Sequence, residues 1–221
     1  MASFAPPVLP PVLAALASTA CAATAVPSGP SGADPGLDRP PSLVVVLADD
    51  LGWGDLGCQG QGLIETPHLD AMAAEGMRFE AGYAGSTVCA PSRSVLMTGL
   101  HTGHTRVRGN DRIPLRPEDV TVAEVLRDAG YRTALFGKWG LGNPGSTGHP
   151  LRQGFERFYG FLNHGHAHNH YPDVLWRDDV LEETGNVVVR GGSSKALGSG
   201  VASERVAWAN DLFFDEAESF I

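Results

Sequence analysis

The chain has 221 residues, of which 43% are hydrophobic and 19% are charged, and its formal net charge is −9. This composition is typical of a soluble globular domain with a real core and argues against a disordered chain. The negative charge argues against non-specific binding to nucleic acid. A cleft with local positive charge can still bind a small anionic substrate.

The first 41 residues differ in composition from the rest. Residues 1–25 are apolar and rich in small residues, and Ala23-Thr24-Ala25 offers a cleavage pattern for a signal peptide. Residues 26–41 are rich in Pro, Gly and Ser, which predicts a flexible tether. We therefore expect an exported protein, periplasmic or secreted, with one domain over residues 42–221. A lipoprotein anchored at Cys21 and a disordered cytosolic tail are the alternatives, and no later segment is long and apolar enough to span a membrane.

The elements that follow predict an α/β fold. Ser42–Asp50 is a continuous apolar run that ends in two acids, which indicates a buried parallel strand. The segment 66–79 predicts a helix with Gly76 at its C-cap, and Pro91–Thr98 predicts a short helix with proline in its first turn. Residues 117–130 predict a third helix, with one apolar face formed by Val122, Val125, Leu126 and Ala129.

A strand is predicted over Tyr131–Phe136, directly after that third helix. Two strands separated by helices in this order predict a mostly parallel central sheet flanked by helices. Further on, we expect a hairpin that turns at Gly185-Asn186 and an amphipathic helix over the last residues. Because two parallel strands are too few for such a sheet, we expect a chain that is cut short.

Charged residues collect where the two predicted strands end. Asp49 and Asp50 end the first strand, and Lys138 follows the second. Ligands bind at this edge of open α/β sheets, and hard divalent cations favour carboxylate oxygens. Asp49 and Asp50 therefore have two interpretations, as metal ligands or as a pair of acids in a loop. Lys138 is one of only two lysines, although an exposed lysine after a strand is an equally good interpretation.

Cysteines give a sharper signal. Cys58 and Cys89 remain after the predicted leader, so a single disulfide is the most that they can form. Cys89 precedes Ala-Pro-Ser-Arg at a predicted helix start, where free backbone amides and the helix dipole favour an anion. Arg93 lies about one turn further on and can reach the same anion. A buried or redox-active cysteine would not require the Pro-Ser-Arg that follows.

Cys89-Ala90-Pro91-Ser92-Arg93, continuing to Leu96-Met97-Thr98-Gly99, resembles the signature of the sulfatase family. The segments "ADDLGWGDLGCQG", "TPHLDAMAAEGMRF", "TGHTRVRGN" and "GYRTALFGKWGLG" are similar to sulfatase segments in the same order, and the resemblance covers residues 42–171. It implies a fold like that of sulfatases and alkaline phosphatase.

The resemblance also implies a mechanism. A formylglycine-generating enzyme would oxidise Cys89 to formylglycine (3-oxoalanine), whose hydrate would attack the sulfur of a sulfated small molecule or carbohydrate and displace its alcohol. The second hydroxyl then helps to expel sulfate. Asp49, Asp50 and the modified Cys89 would bind calcium, with magnesium as the alternative. Arg93 and Lys138 would hold the nucleophile and the sulfate oxygens, so Lys138 is expected to bind substrate as well.

Two departures from the family pattern stand out. Gly140 occupies the position where many sulfatases carry a histidine that contacts the hydrated aldehyde, and a bacterial branch also carries glycine there. The alternating His164, His166, His168 and His170 would share one side of a strand, which makes a zinc site conceivable. A solvated or hydrogen-bonded loop is the favoured interpretation, with His168 expected to line the substrate pocket.

The second departure is length, because complete sulfatases are about twice as long and their later half supplies further metal ligands, a histidine and a lysine. The sequence therefore predicts the first part of a sulfuric-ester hydrolase. The alternatives are a phosphonate or phosphodiester hydrolase with the same nucleophile, a fragment without activity, and a redox or cysteine-dependent enzyme.

Overall fold

The structure is a computed structural model, and it describes residues 40–190 and 197–221. The predicted export signal at 1–25, Cys21 and all but two residues of the predicted tether lie outside these ranges. The chain divides after Leu47 into two units. In the described part of the first unit, residues 40–47, no residue is helical or in a strand.

The predicted strand Ser42–Asp50 is therefore wrong. Its apolar side chains from Leu43 to Leu47 are 52 to 77% exposed. A strand needs a neighbour that accepts and donates hydrogen bonds along its edge, and no strand among the described residues pairs with this run. An apolar run by itself predicts burial, but its partner decides whether a strand forms.

A four-stranded sheet forms the centre of the second unit. Its strands are β1 (Ala134–Lys138), β2 (Arg157–Phe161), β3 (Val174–Arg177) and β4 (Val180–Glu183), in that spatial order. β1 and β2 are parallel, whereas β2–β3 and β3–β4 are antiparallel. The α/β class is confirmed, but the sheet in the described residues is mixed rather than mostly parallel.

A separate hairpin lies outside this sheet. It is formed by β5 (Val187–Val189) and β6 (Val201–Glu204). The predicted hairpin at Gly185-Asn186 is wrong, because β4 pairs with β3 and β5 pairs with β6. A tight hairpin turn lies earlier in the chain, between β3 and β4, at Asp178-Asp179. Asp178 has a φ of 55°, which suits a two-residue hairpin turn.

Four α-helices are described. They are α1 (Pro67–Glu75), α2 (Cys89–Thr98), α3 (Val122–Asp128) and α4 (Ala209–Phe220). The predicted C-cap at Gly76 and the helix over the last residues are confirmed. α3 starts with a capping box between Thr121 and Glu124, but its buried residue is Ala123, and Val122 and Val125 of the predicted apolar face are exposed.

Both faces of the sheet are covered. On one face, Phe158 packs with Trp139, Leu141, Leu162 and the α2 residue Ala90. On the other, Tyr159 and Phe161 pack against Ala209 and Phe213 of α4. Successive residues of β2 thus point to opposite layers, as the two-residue period of a strand requires. The two layers fix β1 and β2, and hence the edge at which they end.

No helix among the described residues is both long and apolar enough to cross a bilayer. Cys58 and Cys89 are both free thiols, so the disulfide that the sequence allowed does not form.

Candidate active site at the carboxyl edge of the sheet

Asp49 lies between two cations at the end of β1. Its Oδ2 is 2.6 Å from the Nζ of Lys138, and its Oδ1 is 3.3 Å from Nη2 of Arg93. Arg93 also donates through Nη1 to the backbone carbonyl of Lys138. The structure therefore pairs Asp49 with Lys138, which the sequence placed at one edge, and adds Arg93 from the helix that begins at Cys89. Lys138 is the last residue of the strand rather than the residue after it.

The two cations set the ionisation of Asp49. Partial burial by itself raises the pKa of this carboxyl, but the hydrogen bond and charge of Lys138, together with Arg93, lower the pKa below its ordinary value. Asp49 therefore stays ionised at neutral pH. The side chain of Lys138 is only 9% exposed, which strengthens its pairing with a charge.

Cys89 is the first residue of α2, so the helix begins two residues earlier than predicted. The N-terminus of α2 offers fewer free backbone amides than the sequence suggested. The N–H of Ala90 donates to the side chain of Asn110, that of Ser92 donates to the carbonyl of Val88, and Pro91 has no N–H. An anion at Cys89 thus has to rely on the helix dipole and on nearby cations more than on backbone amides.

Gly140 is held in a conformation that explains its identity. Its φ is +84°, in the region where an L side chain is strained, and a Cβ there would lie 3.5 Å from the Cδ of Arg93. A histidine on this backbone would be strained by the positive φ, so the geometry favours glycine at this position.

The histidine segment follows β2 and comes to the same edge. Lys138 pairs in register with Phe161, so the two parallel strands end side by side and His164 lies just beyond them. Burial lowers the pKa of His164, and the positive charges of Arg112, Lys138 and His168 lower it further. His164 is therefore neutral at pH 7 and belongs to the surroundings of Lys138.

The four histidines do not share one side of a strand. His166–His168 form a 3₁₀ turn, and His166 is fully buried with its ring centroid 4.9 Å from that of Phe161. His168 and His170 line a pocket of about 280 Å³ together with Tyr171 and Arg205. The zinc alternative is wrong for the described residues, since no three metal-ligating side chains come together among them.

Two residues at this edge were not singled out from the sequence. Asn110 contacts the Sγ of Cys89 through its amide, at 3.4 Å from Nδ2. Arg112 has a φ of 56°, which is rare for a residue with a long side chain, and its Nη2 would be 3.2 Å from a Cβ at Gly165. Asn110 lies in the quoted segment "TGHTRVRGN", whereas no local pattern marks Arg112.

The expected calcium ligands are only partly assembled. Asp49 and Asp50 offer oxygen donors of the right kind, and Asp50 has a φ of 59°, in the left-handed region that is uncommon outside glycine. Cys89 does not join them in a group of three possible metal ligands within the described residues. Both oxygens of Asp49 face Lys138 and Arg93 instead. The donors thus fit a hard cation in kind but fall short of the six to eight oxygens that calcium takes.

Comparison with known proteins supports one family. The Sulfatase family model matches residues 41–217. Mouse steryl-sulfatase is 41% identical over 170 residues, which is 70% of this chain and 26% of the relative. The chain thus spans about a quarter of the length of the curated relatives it matches.

Solved structures agree. One from work on the metabolism of multiple glycosaminoglycans by Bacteroides thetaiotaomicron has a TM-score of 0.59 and 25% identity, covering 78% of this chain and 46% of that chain. Another, in complex with its substrate D-glucosamine-2-N,6-O-disulfate, has a TM-score of 0.55 and 27% identity, covering 75% and 28%.

Proposed function

Because this chain belongs to the sulfatase family, we propose that its sheet edge binds the sulfate group of a sulfuric ester and that the reaction takes place at Cys89. The observation that carries the proposal is the ion-paired trio of Asp49, Lys138 and Arg93, in which Arg93 belongs to the helix that begins with Cys89.

In this proposal Cys89 would be converted to formylglycine, whose hydrate would supply the hydroxyl oxygen for attack on sulfur while the alcohol of the ester leaves. Lys138 and Arg93 neutralise charge on the sulfate oxygens, because both cations are mostly removed from solvent and held before the substrate arrives. Asp49 orients both cations. Asp49 and Asp50 would hold the divalent cation, calcium or magnesium, which supplies further positive charge.

We propose the pocket lined by His168 as the place for the alcohol part of the substrate, because His168 and Lys138 are both close enough to His164 to lower its pKa. Tyr171 lines the same pocket and offers an aromatic ring over which Arg205 is stacked at 5.2 Å. Steryl-sulfatase and a protein that binds a sulfated glucosamine are both similar to this chain. We therefore propose a sulfated small molecule or carbohydrate as the substrate class.

Mass spectrometry of the peptide that contains Cys89 tests the first step, after co-expression with a formylglycine-generating enzyme. We expect the thiol to be replaced by the aldehyde. Sulfate release from an aryl sulfate and from a sulfated sugar is then measured beside hydrolysis of a phosphonate ester. Faster phosphonate hydrolysis would favour a phosphonate hydrolase, and full activity with an unmodified thiol would refute the nucleophile.

Export is a separate proposal that rests on residues 1–41 of the sequence. Expression with and without residues 1–25, followed by mass measurement of the extracytoplasmic product, tests it. A mature N-terminus after Ala25 supports export by a cleaved signal, a lipid on Cys21 supports the anchored alternative, and an uncleaved cytoplasmic product contradicts both.

A further inference from the structure

Helix α2 begins without a cap of its own. The N-cap residue is Val88, whose side chain has no oxygen, and no side chain at that position bonds to the helix. Since the first amides of a helix have no partner within the helix, a valine N-cap leaves them to be satisfied from elsewhere. This weakness lies directly at Cys89, the proposed origin of the nucleophile.

Asn110 supplies the missing cap from twenty residues further along the chain. Its Oδ1 accepts a hydrogen bond of 3.0 Å from the N–H of Ala90. The remaining early amides need little from outside, because Pro91 has none and Ser92 bonds to the carbonyl of Val88. Asn110 therefore does for this helix what an Asn, Asp or Ser normally does at the N-cap position.

The same bond fixes which way the amide of Asn110 points. Its oxygen has to face the N–H of Ala90, because the reversed amide would set two donors against each other. The NH₂ end then lies 3.4 Å from the Sγ of Cys89, and Oδ1 lies 3.6 Å from that sulfur. One planar group thus contacts both the start of the helix and the side chain at position 89.

We infer that Asn110 is a positioning residue that holds the side chain at position 89 in one rotamer while it caps α2. The inference rests on the proposed function only in taking position 89 as the origin of the nucleophile. An amide N–H is a donor to sulfur and to oxygen alike, so the contact suits both the thiol and an oxygen in its place. Asn110 takes no part in the reaction itself, and it fixes the direction in which the side chain at position 89 points.

Two substitutions separate the two contacts. Asn110→Asp keeps an acceptor for the N–H of Ala90 but removes the N–H that faces Cys89, whereas Asn110→Ala removes both. The readouts, taken by NMR on the whole chain, are the hydrogen-exchange rate of the Ala90 amide and the three-bond couplings that report the Cys89 rotamer. A role in capping alone would leave the couplings unchanged in Asn110→Asp.

We expect Asn110→Ala to accelerate exchange at Ala90 about tenfold, which corresponds to one ordinary hydrogen bond, and to average the Cys89 rotamers. Asn110→Asp should leave the exchange rate within about threefold of the original and still average the rotamers. Gln61→Glu is the matched control, because it adds the same charge at a side chain that contacts Leu63 and Ile64. Both readouts should stay unchanged in this control.

A single Cys89 rotamer retained in Asn110→Asp would overturn the inference, as would unchanged exchange in Asn110→Ala. Loss of protection at Ala90 in Asn110→Asp would overturn the orientation of the amide. If Asn110→Ala does not fold, Asn110→Asp alone decides the rotamer question. Neither readout needs sulfate hydrolysis, so failure of the proposed activity and failure of this inference are distinguishable.

Discussion

Two regions of the second unit contribute to the candidate site, and they are packed very differently. None of the residues from 48 to 88 is buried, whereas every buried core residue of this unit lies at Ala90 or beyond. Cys89, Arg93 and Lys138 stand on or beside the packed sheet. Asp49 and Asp50 stand in the exposed region.

The difference shows that the acidic half of the site is held by charge and the cationic half by packing. Arg93 and Lys138 keep their positions through α2 and β1, whose neighbours include Ala90 and Trp139 in one apolar layer. Asp49 has no buried neighbour in sequence, and its recorded contacts are the ion pairs to those two cations. Removing a cation should therefore loosen the acidic segment without unfolding the sheet.

The largest expected effect concerns catalysis at the boundary of the two regions. Cys89→Ala should lower sulfate ester hydrolysis by at least about 10³-fold, since it removes the proposed nucleophile. The thermal midpoint should hardly change, because Cys89 is only partly buried and its side chain contacts Asn110 alone among its recorded partners. Sulfate release and calorimetry check both statements. If Cys89→Ala turns over sulfate esters as fast as the unaltered protein, Cys89 is not the origin of the nucleophile.

Next comes a direct test of packing. Trp139→Ala should lower the free energy of unfolding by about 3–5 kcal/mol, because Trp139 is 1% exposed, packs on Phe155 and donates to the carbonyl of Gly148. Leu63→Ala, at a side chain that is 99% exposed, should change it by less than about 0.5 kcal/mol. Urea unfolding of both variants measures the contrast. Equal losses of unfolding free energy in the two variants would show that the two regions do not differ in packing.

A pH effect of intermediate size should come from His166 in the packed region. Burial lowers its pKa to about 4 and outweighs the backbone of Val174 and the charge of Asp173, both of which raise it. As the pH falls below about 6.5, the unfolded chain takes up a proton that the folded protein does not, so stability falls by about 3 kcal/mol between pH 6.5 and 4.

His166→Leu should remove most of this pH dependence, and the exposed His68→Asn should retain it. Denaturant unfolding between pH 4 and 7 measures both. An unchanged slope in His166→Leu would show that another group titrates there.

The smallest of these effects tests the link between the regions. Lys138→Met should release Asp49 from its ion pair and lower sulfate hydrolysis about 10²-fold. Arg132→Met is the control, because Arg132 precedes the same strand and pairs with Glu156 instead. Sulfate release is measured for both variants, and equal turnover of Lys138→Met and Arg132→Met would contradict the role given to the Lys138–Asp49 ion pair.

The local patterns of the sequence predicted much of the site. The fixed spacing from Cys89 to Arg93 identified the family. The sequence also placed Asp49 and Lys138 at one edge, where the structure pairs them, although the strand predicted to end at Asp50 does not form. Gly76 and the last helix followed from short-range signals of capping and amphipathic period. These features depend on residues a few positions apart, which one sequence displays directly.

Features that depend on distant partners were decided by the tertiary structure. Ser42–Asp50 had the composition of a strand but found no neighbour to pair with, and β4 paired backwards with β3 rather than forwards with β5. Asn110 reached Cys89 and Ala90 across twenty residues of chain, and Gly140 took a positive φ beside Arg93. The sequence by itself determined the family, the chemical groups and most helices. The tertiary structure decided which strands pair, how α2 is capped and which cations hold Asp49. Hydrogen bonds and ion pairs between distant residues exist only once the chain has brought those residues together.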